Sequence, residues 1–164
     1  MSKFSTSRPL WQGLALAGLV VGSVASASTA FAGECPAGKM KDNALTTGEM
    51  MPKKVTDDVL SSIDLAPKGD AFKGESLRLR KLVIQPGGVV PWHDHKSRPA
   101  NIYVVSGTVI EHRSNCEVPI VHKAGDTIAE FGDFSHWWKN TGNKPAVLLS
   151  ADVFHSGMMD DHMM

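Results

Sequence analysis

The sequence has no excess of charge of either sign. Its 164 residues include 17 Lys+Arg and 17 Asp+Glu, so the formal net charge is zero, and it carries no basic stripe or tail. Proteins dedicated to nucleic acids normally show such a basic feature, so we expect no nucleic-acid partner. The sequence also lacks a Gly-rich phosphate loop, a Gly-x-Ser-x-Gly elbow and a Cys-x-x-Cys motif. It therefore offers no motif for phosphate binding, serine hydrolysis or dithiol chemistry.

What the sequence contains is enough apolar material for one folded domain. Hydrophobic residues make up 42% of the chain and charged residues 21%. Disordered chains have low hydrophobicity and high net charge, and a single domain of ordinary size has about 100–150 residues. We therefore expect a single globular domain.

Residues 1–32 have the layout of a secretory signal peptide. Lys3 and Arg8 precede an uncharged stretch, in which residues 14–24 are strongly apolar and which ends in small residues at Ala32. A positive start, an apolar core and a small-x-small end predict cleavage after Ala32. A retained membrane anchor is the alternative, but the apolar run is shorter than the ~20 residues that a span needs. We expect a periplasmic or secreted protein with no stable membrane anchor after cleavage.

The sequence contains two cysteines, Cys35 and Cys116. They predict one disulfide, because the compartments to which proteins are exported are oxidising. The bond would close a loop of roughly 80 residues, worth roughly 4–5 kcal/mol on the loop-entropy model. The alternative is two free thiols, one of them a metal ligand. Neither cysteine has a histidine or a second cysteine at ligand spacing, so we favour the disulfide.

The remaining chain divides into three segments that differ in residue pattern. Residues 33–74 form an N-terminal arm with a short leading element, and within it residues 55–65 fit either a helix or a strand. Residues 75–154 consist of short β-like runs separated by turn residues, with a hairpin predicted at Ser106-Gly107. This pattern predicts an all-β antiparallel sandwich or barrel. Residues 155–164 form a flexible Met/His-rich tail, for which copper binding is the alternative.

Three histidines are the candidate chemistry. His93 and His95 are two apart on a predicted strand, so both imidazoles leave the same face. His136 lies on a later strand, where Trp138 and Asn140 share its face. If these strands face each other across an interior, three nitrogen ligands converge, and such a site suits a transition metal. A lone His-x-His on a surface is the alternative.

The residues around these histidines follow two spaced motifs. The first gives Gly87, five residues, His93-Asp94-His95, four residues, Ala100, six residues and Gly107.

The second motif gives Gly125, five residues, Phe131-Gly132-Asp133, two residues, His136, three residues and Asn140. Together the two resemble the paired motifs of the cupin superfamily, and more narrowly those of small exported cupins of the quercetin-dioxygenase-like kind. The resemblance implies a cupin double-stranded β-helix, or jelly-roll barrel, over residues 75–154.

The resemblance also implies a mononuclear metal site on His93, His95 and His136. This chain departs from the family pattern at Ala100, where the family has a metal-binding Glu. Asn101 cannot replace that Glu without a bulge, because a shift of one residue turns a side chain to the other face of a strand. Other cupins, thiol dioxygenases among them, resemble this chain in using three histidines alone. Loss of the metal is the alternative.

The cofactor expected from the resemblance is one divalent transition metal, Fe, Cu, Zn, Mn or Ni. The expected function is that of an O₂-dependent oxygenase of a small organic substrate; a non-catalytic binding cupin and a metal-free structural cupin are the alternatives. The substrate pocket would include Arg98, Trp138 and Asn140, and no catalytic side chain is assigned. Cupins often pair, so a homodimer is a family-level expectation.

Overall fold

A computed structural model describes residues 33–157 of the chain. The predicted signal peptide and the last seven residues of the Met/His-rich tail lie outside this range. Six strands form one antiparallel sheet: β1 (Lys53–Asp64), β2 (Glu75–Ser106), β3 (Thr108–Arg113), β4 (Ile120–Lys123), β5 (Thr127–Lys139) and β6 (Ala146–His155). Two single-turn 3₁₀ helices, Ala66–Lys68 and Asp70–Phe72, join β1 to β2. The all-β prediction is confirmed.

The long strand β2 organises the sheet. Its first part, residues 75–84, lies between β1 and β6, and its last part, residues 100–106, pairs with the other edge of β6. Residues 89–103 of β2 pair with β5, and this pairing contains three register shifts. Such bulges bend a strand and increase its twist, so β2 wraps around β6 and gives the sheet its barrel-like form.

Inward-facing side chains alternate with exposed ones along these strands, as a sheet with one solvated face requires. The buried apolar cluster comes from β2, β3, β5 and β6 and consists of Leu82, Ile84, Val90, Ala100, Ile102, Val104, Val109, Ile128, Trp138, Ala146 and Leu148. Burying each large aliphatic side chain contributes about 1.5–3 kcal/mol. The three histidines lie on the same strands as this core.

The N-terminal arm is attached to the sheet by covalent and non-covalent contacts. A disulfide joins Cys35 to Cys116, as the cysteine count predicted. Next to it, Arg113 Nη1 contacts the Glu34 carboxylate at 3.3 Å. Further along the arm, the Trp92 amide donates to the Glu49 carbonyl oxygen at 2.7 Å. Backbone hydrogen bonds from Lys41 to Asn115 and from Leu45 to Ser114 add to these contacts, so the arm is held against the domain at several points along its length.

Two local expectations are settled by the strand pairing. Residues 55–65, which fitted a helix or a strand, belong almost entirely to β1, so the sheet begins before residue 75. The hairpin predicted at Ser106-Gly107 is wrong, because β2 pairs there with β6 while β3 pairs with β4 and β5. Within residues 33–157, no helix has the length and apolar character needed to span a membrane.

Candidate metal centre

The three predicted histidines meet at one point inside the barrel. His93 lies directly opposite His136 in the β2–β5 pairing, and His95 follows His93 by two residues on the same strand. The Nε2 atom of His93 is 3.1 Å from that of His95 and 3.2 Å from that of His136. Metal–imidazole bonds are about 2.0–2.1 Å long, so two nitrogens on one ion at angles of about 90–109° lie about 2.9–3.4 Å apart. The observed spacing fits a single ion.

The opposite nitrogen of each ring is committed to an oxygen acceptor. The Nδ1 distances are 2.7 Å to the Pro91 carbonyl for His93, 2.7 Å to the Arg98 carbonyl for His95 and 2.5 Å to Glu111 Oε1 for His136. Carbonyl oxygens accept, so Nδ1 carries the proton in His93 and His95. This is the arrangement that orients metal-binding histidines and leaves Nε2 free for the ion. His136 Nδ1 faces an acceptor, Glu111 Oε1, and also a donor, the Trp138 indole N–H at 3.1 Å.

Burial favours the neutral form of His93 at this point. His95 and His136 are buried and His93 is half-buried. Burial, followed by the nearby charges of His136 and His95, holds the pKa of His93 well below its usual range. His93 therefore presents a lone pair toward its neighbours. Lone pairs that face one another repel unless a cation lies between them, so the donor set fits a transition metal.

Glu111 is the anchor of His136. Its Oε1 atom is 2.5 Å from both His136 Nδ1 and Arg113 Nε, and its Oε2 atom is 2.8 Å from His122 Nε2. Burial alone raises the pKa of Glu111, but hydrogen bonds from His122 and His136 and the charge of Arg113 lower it well below its ordinary value. The result is a buried, ionised carboxylate that fixes the ring of a candidate ligand.

A second buried carboxylate, that of Glu130, lies beside His95 and His136, and its Oε1 atom is 3.7 Å from His136 Nδ1. Glu130 is 3% exposed, and its Oε2 atom is 3.0 Å from His95 Nε2. Burial raises the pKa of Glu130, but the charge of His136 and the hydrogen bond from His95 outweigh it and lower the pKa. In the strand pairing, Glu130 lies directly opposite Ala100, while Asn101 is exposed on the other face.

Sequence reasoning missed Glu130, although a signal was present. Glu130 and His136 have the same parity, so on one continuous strand they share a face. The turn residues Gly132-Asp133 predict a break between two strands, one ending at Phe131 and the next beginning at Phe134, whereas the structure has a single β5 across both. A Glu at an inward position beside buried Ile128 was the feature that could have revealed it.

The histidines line a small cavity in the barrel. Its volume is about 30 Å³, and its walls include Arg80, His93, His95, Glu130 and Trp138. A water needs about 10–15 Å³ by this measure, whereas a cavity of about 150 Å³ is known to bind benzene. The cavity therefore admits molecules of a few atoms and excludes an aromatic ring.

The three predicted pocket residues have different positions. Trp138 lines the cavity and stacks on His122, with ring centroids 4.7 Å apart. The Arg98 guanidinium lies 3.9 Å from Asp152, and its carbonyl supports His95. Asn140 is fully buried and donates its amide to two backbone carbonyls, at 2.8 Å each, so it fixes a turn.

Other polar residues were misplaced or overlooked by the sequence reasoning. The sequence predicts a surface or rim position for both His112 and His122. This is wrong for His122, which is 0% exposed and stacks on Trp138. His112 is half-buried and stacks on Trp137. A second buried polar group, here called the arginine–aspartate cluster, also borders the cavity through Arg80; it consists of Asp57, Arg78, Arg80 and Asp152.

Comparison with a known family agrees with the fold and the motifs. The cupin domain family model matches residues 80–152. The solved structures that resemble this one include the protein TT1209 from Thermus thermophilus, with a TM-score of 0.48 and 16% identity over 60% of this chain and 82% of that one.

Two further solved structures resemble the chain. A predicted oxalate decarboxylase from Thermotoga maritima has a TM-score of 0.42 and 18% identity, over 64% of this chain and 99% of its own. The cupin domain of an XRE-family transcriptional regulator from Enterobacter cloacae has a TM-score of 0.46 and 14% identity, over 61% and 96%. No curated protein sequence matches the chain. With both spaced motifs and the antiparallel barrel, the family match identifies residues 80–152 as a cupin domain.

Proposed function

We propose that this protein is an exported cupin that binds one divalent transition metal through the Nε2 atoms of His93, His95 and His136. One observation carries the proposal: His93 Nε2 lies 3.1 Å from that of His95 and 3.2 Å from that of His136, while the Nδ1 atom of each ring lies beside an oxygen acceptor. A purely structural histidine cluster would use both nitrogens of each ring for hydrogen bonds. Here the second nitrogens face only one another and a carboxylate.

The roles of the surrounding residues follow from their contacts. Glu111 and the Pro91 and Arg98 carbonyls hold the rings in the orientation and tautomer that an ion requires. Trp138 walls the cavity and keeps bulk water away. When bound, an imidazole-held ion such as Zn, Cu, Fe or Ni supplies Lewis acidity or redox chemistry.

An O₂-dependent oxygenase is the second candidate function. Three protein ligands on one side of an ion, with open positions toward a cavity, are typical of non-haem oxygenases. The volume of about 30 Å³ restricts what can enter the barrel beside the ion to dioxygen, water or a comparably small molecule. This size favours metal binding, or chemistry on a very small substrate, over oxygenation of an aromatic compound inside the barrel.

Export is part of the proposal and rests on two features. Residues 1–32 have the signal-peptide layout, and the Cys35–Cys116 disulfide is of the kind that persists in an oxidising compartment. We expect the full-length chain, expressed in a bacterium, to appear in the periplasm or medium with Gly33 as its first residue. A chain that stays in the cytoplasm with residues 1–32 attached would contradict this part alone.

Metal content of the exported, untagged protein tests the main proposal. We expect about one transition-metal ion per chain, and loss of that ion in a His93→Ala, His136→Ala double variant. His112→Ala is the matched control, because His112 is also half-buried but lies outside the cluster. If the folded double variant keeps its metal, the ion is elsewhere and the proposal fails. Oxygen uptake by the loaded protein then tests the second candidate: none across a panel of small substrates would exclude the oxygenase and leave metal binding standing.

A further inference from the structure

The proposed three-histidine site lacks a negative charge. Three neutral imidazoles leave both charges of a divalent ion uncompensated inside a buried cavity, and a buried charge without a partner is costly. The position at which cupins place a carboxylate is Ala100 in this chain. The inference below rests on the proposed metal and concerns where its missing counter-charge comes from.

Glu130 occupies the place directly across the strand pair from Ala100. The two residues are aligned in the β2–β5 pairing, and both side chains are buried, with 6% exposure for Ala100 and 3% for Glu130. Directly opposite residues share a face, with Cβ atoms about 4.5–5.5 Å apart. A carboxylate that starts from position 130 therefore enters the same region as one from position 100, and the small Ala100 side chain leaves it room.

The Glu130 carboxylate reaches the histidine cluster at the ion-facing nitrogen of His95, while its other oxygen lies 3.7 Å from His136 Nδ1. Oε2 is 3.0 Å from His95 Nε2, the nitrogen that also lies 3.1 Å from His93 Nε2. This separation equals that between neighbouring ligands of one ion, and Glu130 lines the same cavity as His93 and His95. His95 already donates from Nδ1 to the Arg98 carbonyl. A cation between Nε2 and Oε2 satisfies both atoms without a second proton on the ring.

The other buried carboxylate is fully engaged elsewhere. Glu111 reaches His136 at Nδ1, the nitrogen that points away from the cluster, and its two oxygens already accept from Arg113, His122 and His136. A group formed by Glu111, Glu130 and one histidine could also hold an ion. That group would use His136 Nδ1 and break its 2.5 Å bond to Glu111. The two carboxylates therefore have separate roles, with Glu111 orienting a ligand and Glu130 available to the ion.

We propose that Glu130 supplies the carboxylate ligand of the metal, in place of the residue at position 100. The counter-charge is kept, but it is carried by the neighbouring strand. The site becomes three nitrogens and one oxygen, drawn from β2 and β5 alone.

The test measures the affinity of the full exported chain for Zn²⁺ by competition with a chelator, and the visible absorption of the Co²⁺-loaded protein. In Glu130→Gln, we expect affinity to fall by at least the roughly 10–100-fold that even outer-shell changes cause, with a changed Co²⁺ spectrum. Asp126→Asn is the matched control. Asp126 is a buried carboxylate just before the same strand, and it accepts a hydrogen bond from the Lys123 amide at 2.8 Å. It should leave both readouts unchanged.

Moving the carboxylate back across the strand pair gives the sharper experiment. Glu130→Ala should lose affinity as Glu130→Gln does, and adding Ala100→Glu to it should restore affinity and the four-ligand Co²⁺ spectrum. Ala100→Glu alone places two carboxylates opposite each other and should not tighten binding. Circular dichroism and thermal unfolding of the metal-free variants establish that each one folds.

The outcomes separate this inference from the proposed function. A wild-type protein that binds no Zn²⁺ or Co²⁺ would defeat both. Normal binding by wild type and Glu130→Gln alike would overturn the role of Glu130 and leave the three-histidine site intact. Loss in Glu130→Gln without recovery in the Ala100→Glu, Glu130→Ala variant would assign Glu130 to the packing of the barrel and would likewise overturn the inference.

Discussion

Two polar clusters border the same cavity, and they differ in how their charges are balanced. In the arginine–aspartate cluster, Arg78 and Arg80 both contact Asp152, at 2.8 Å and 3.2 Å, and Arg80 also pairs with Asp57. Each charge there meets an opposite charge of the chain itself. In the histidine cluster, the Nε2 atoms meet one another. A buried polar cluster is therefore a candidate ion site where ring nitrogens of the chain face one another with no cation of the chain between them.

The largest effect is expected from a substitution in the arginine–aspartate cluster. Arg80→Met removes a buried cation and leaves the half-buried Asp57 without its partner, and removal of one partner of a buried pair destabilises by about 3–5 kcal/mol. Urea unfolding of the metal-free protein measures this loss. Zn²⁺ affinity should not fall, because a positive charge has been removed from the wall of the cavity. Arg78→Met is the control with a smaller effect, since Asp152 keeps Arg80. A tenfold drop in Zn²⁺ affinity in Arg80→Met would contradict the division between the clusters.

The second prediction concerns the histidine cluster. His93→Ala should lower Zn²⁺ affinity by about 100-fold or more, equivalent to about 2.8 kcal/mol, because one of three nitrogen ligands is lost. Unfolding of the metal-free variant should change by less than about 1 kcal/mol, since the half-buried ring gives up one hydrogen bond, to the Pro91 carbonyl. A large loss of metal-free stability would show instead that this histidine belongs to the fold.

The third prediction concerns the link between ligand and support. Glu111→Gln removes the charge toward which Arg113, His122 and His136 all point, and loss of such an outer partner lowers metal affinity by about 10–100-fold. The Co²⁺ spectrum should keep the band pattern of the wild type, because no ligand is removed. Unchanged affinity would mean that the orientation of His136 does not depend on this carboxylate.

The smallest effect is expected at the neighbour of Ala100. Asn101 is exposed on the outer face of β2, so Asn101→Ala should change Zn²⁺ affinity by less than about twofold. The same chelator competition measures it. A loss as large as that of Glu130→Gln would place Asn101 at the ion and would weaken the case for Glu130.

The sequence was sufficient to predict the three histidines because their convergence depends on local rules. A strand period of two puts His93 and His95 on one face, and the motif spacing brings His136 opposite them. The all-β class was equally accessible, since turn residues separate the apolar runs throughout residues 75–154. These features need only short stretches of sequence.

Glu130 and Arg80 could not be placed in this way, because their positions depend on pairing between distant strands. Glu130 meets Ala100 only after three register shifts in the β2–β5 pair, and local patterns do not specify bulges. Arg80 is buried because β1 and β6 flank that part of β2 on both sides. The wrong hairpin at Ser106-Gly107 has the same origin, since β6, much later in sequence, takes the place of the near neighbour.

The attachment of the arm has a practical consequence for anyone who trims this protein to its recognisable family segment. A fragment of residues 80–152 would omit Cys35, Glu34 and all of β1, including the Asp57 that pairs with Arg80. Arg113 would lose Glu34 and the Gly33 carbonyl, while still contacting the carboxylate that steadies His136. Measurements of Zn²⁺ affinity on such a fragment would therefore underestimate the affinity of the site, and they should use the chain from residue 33 onward.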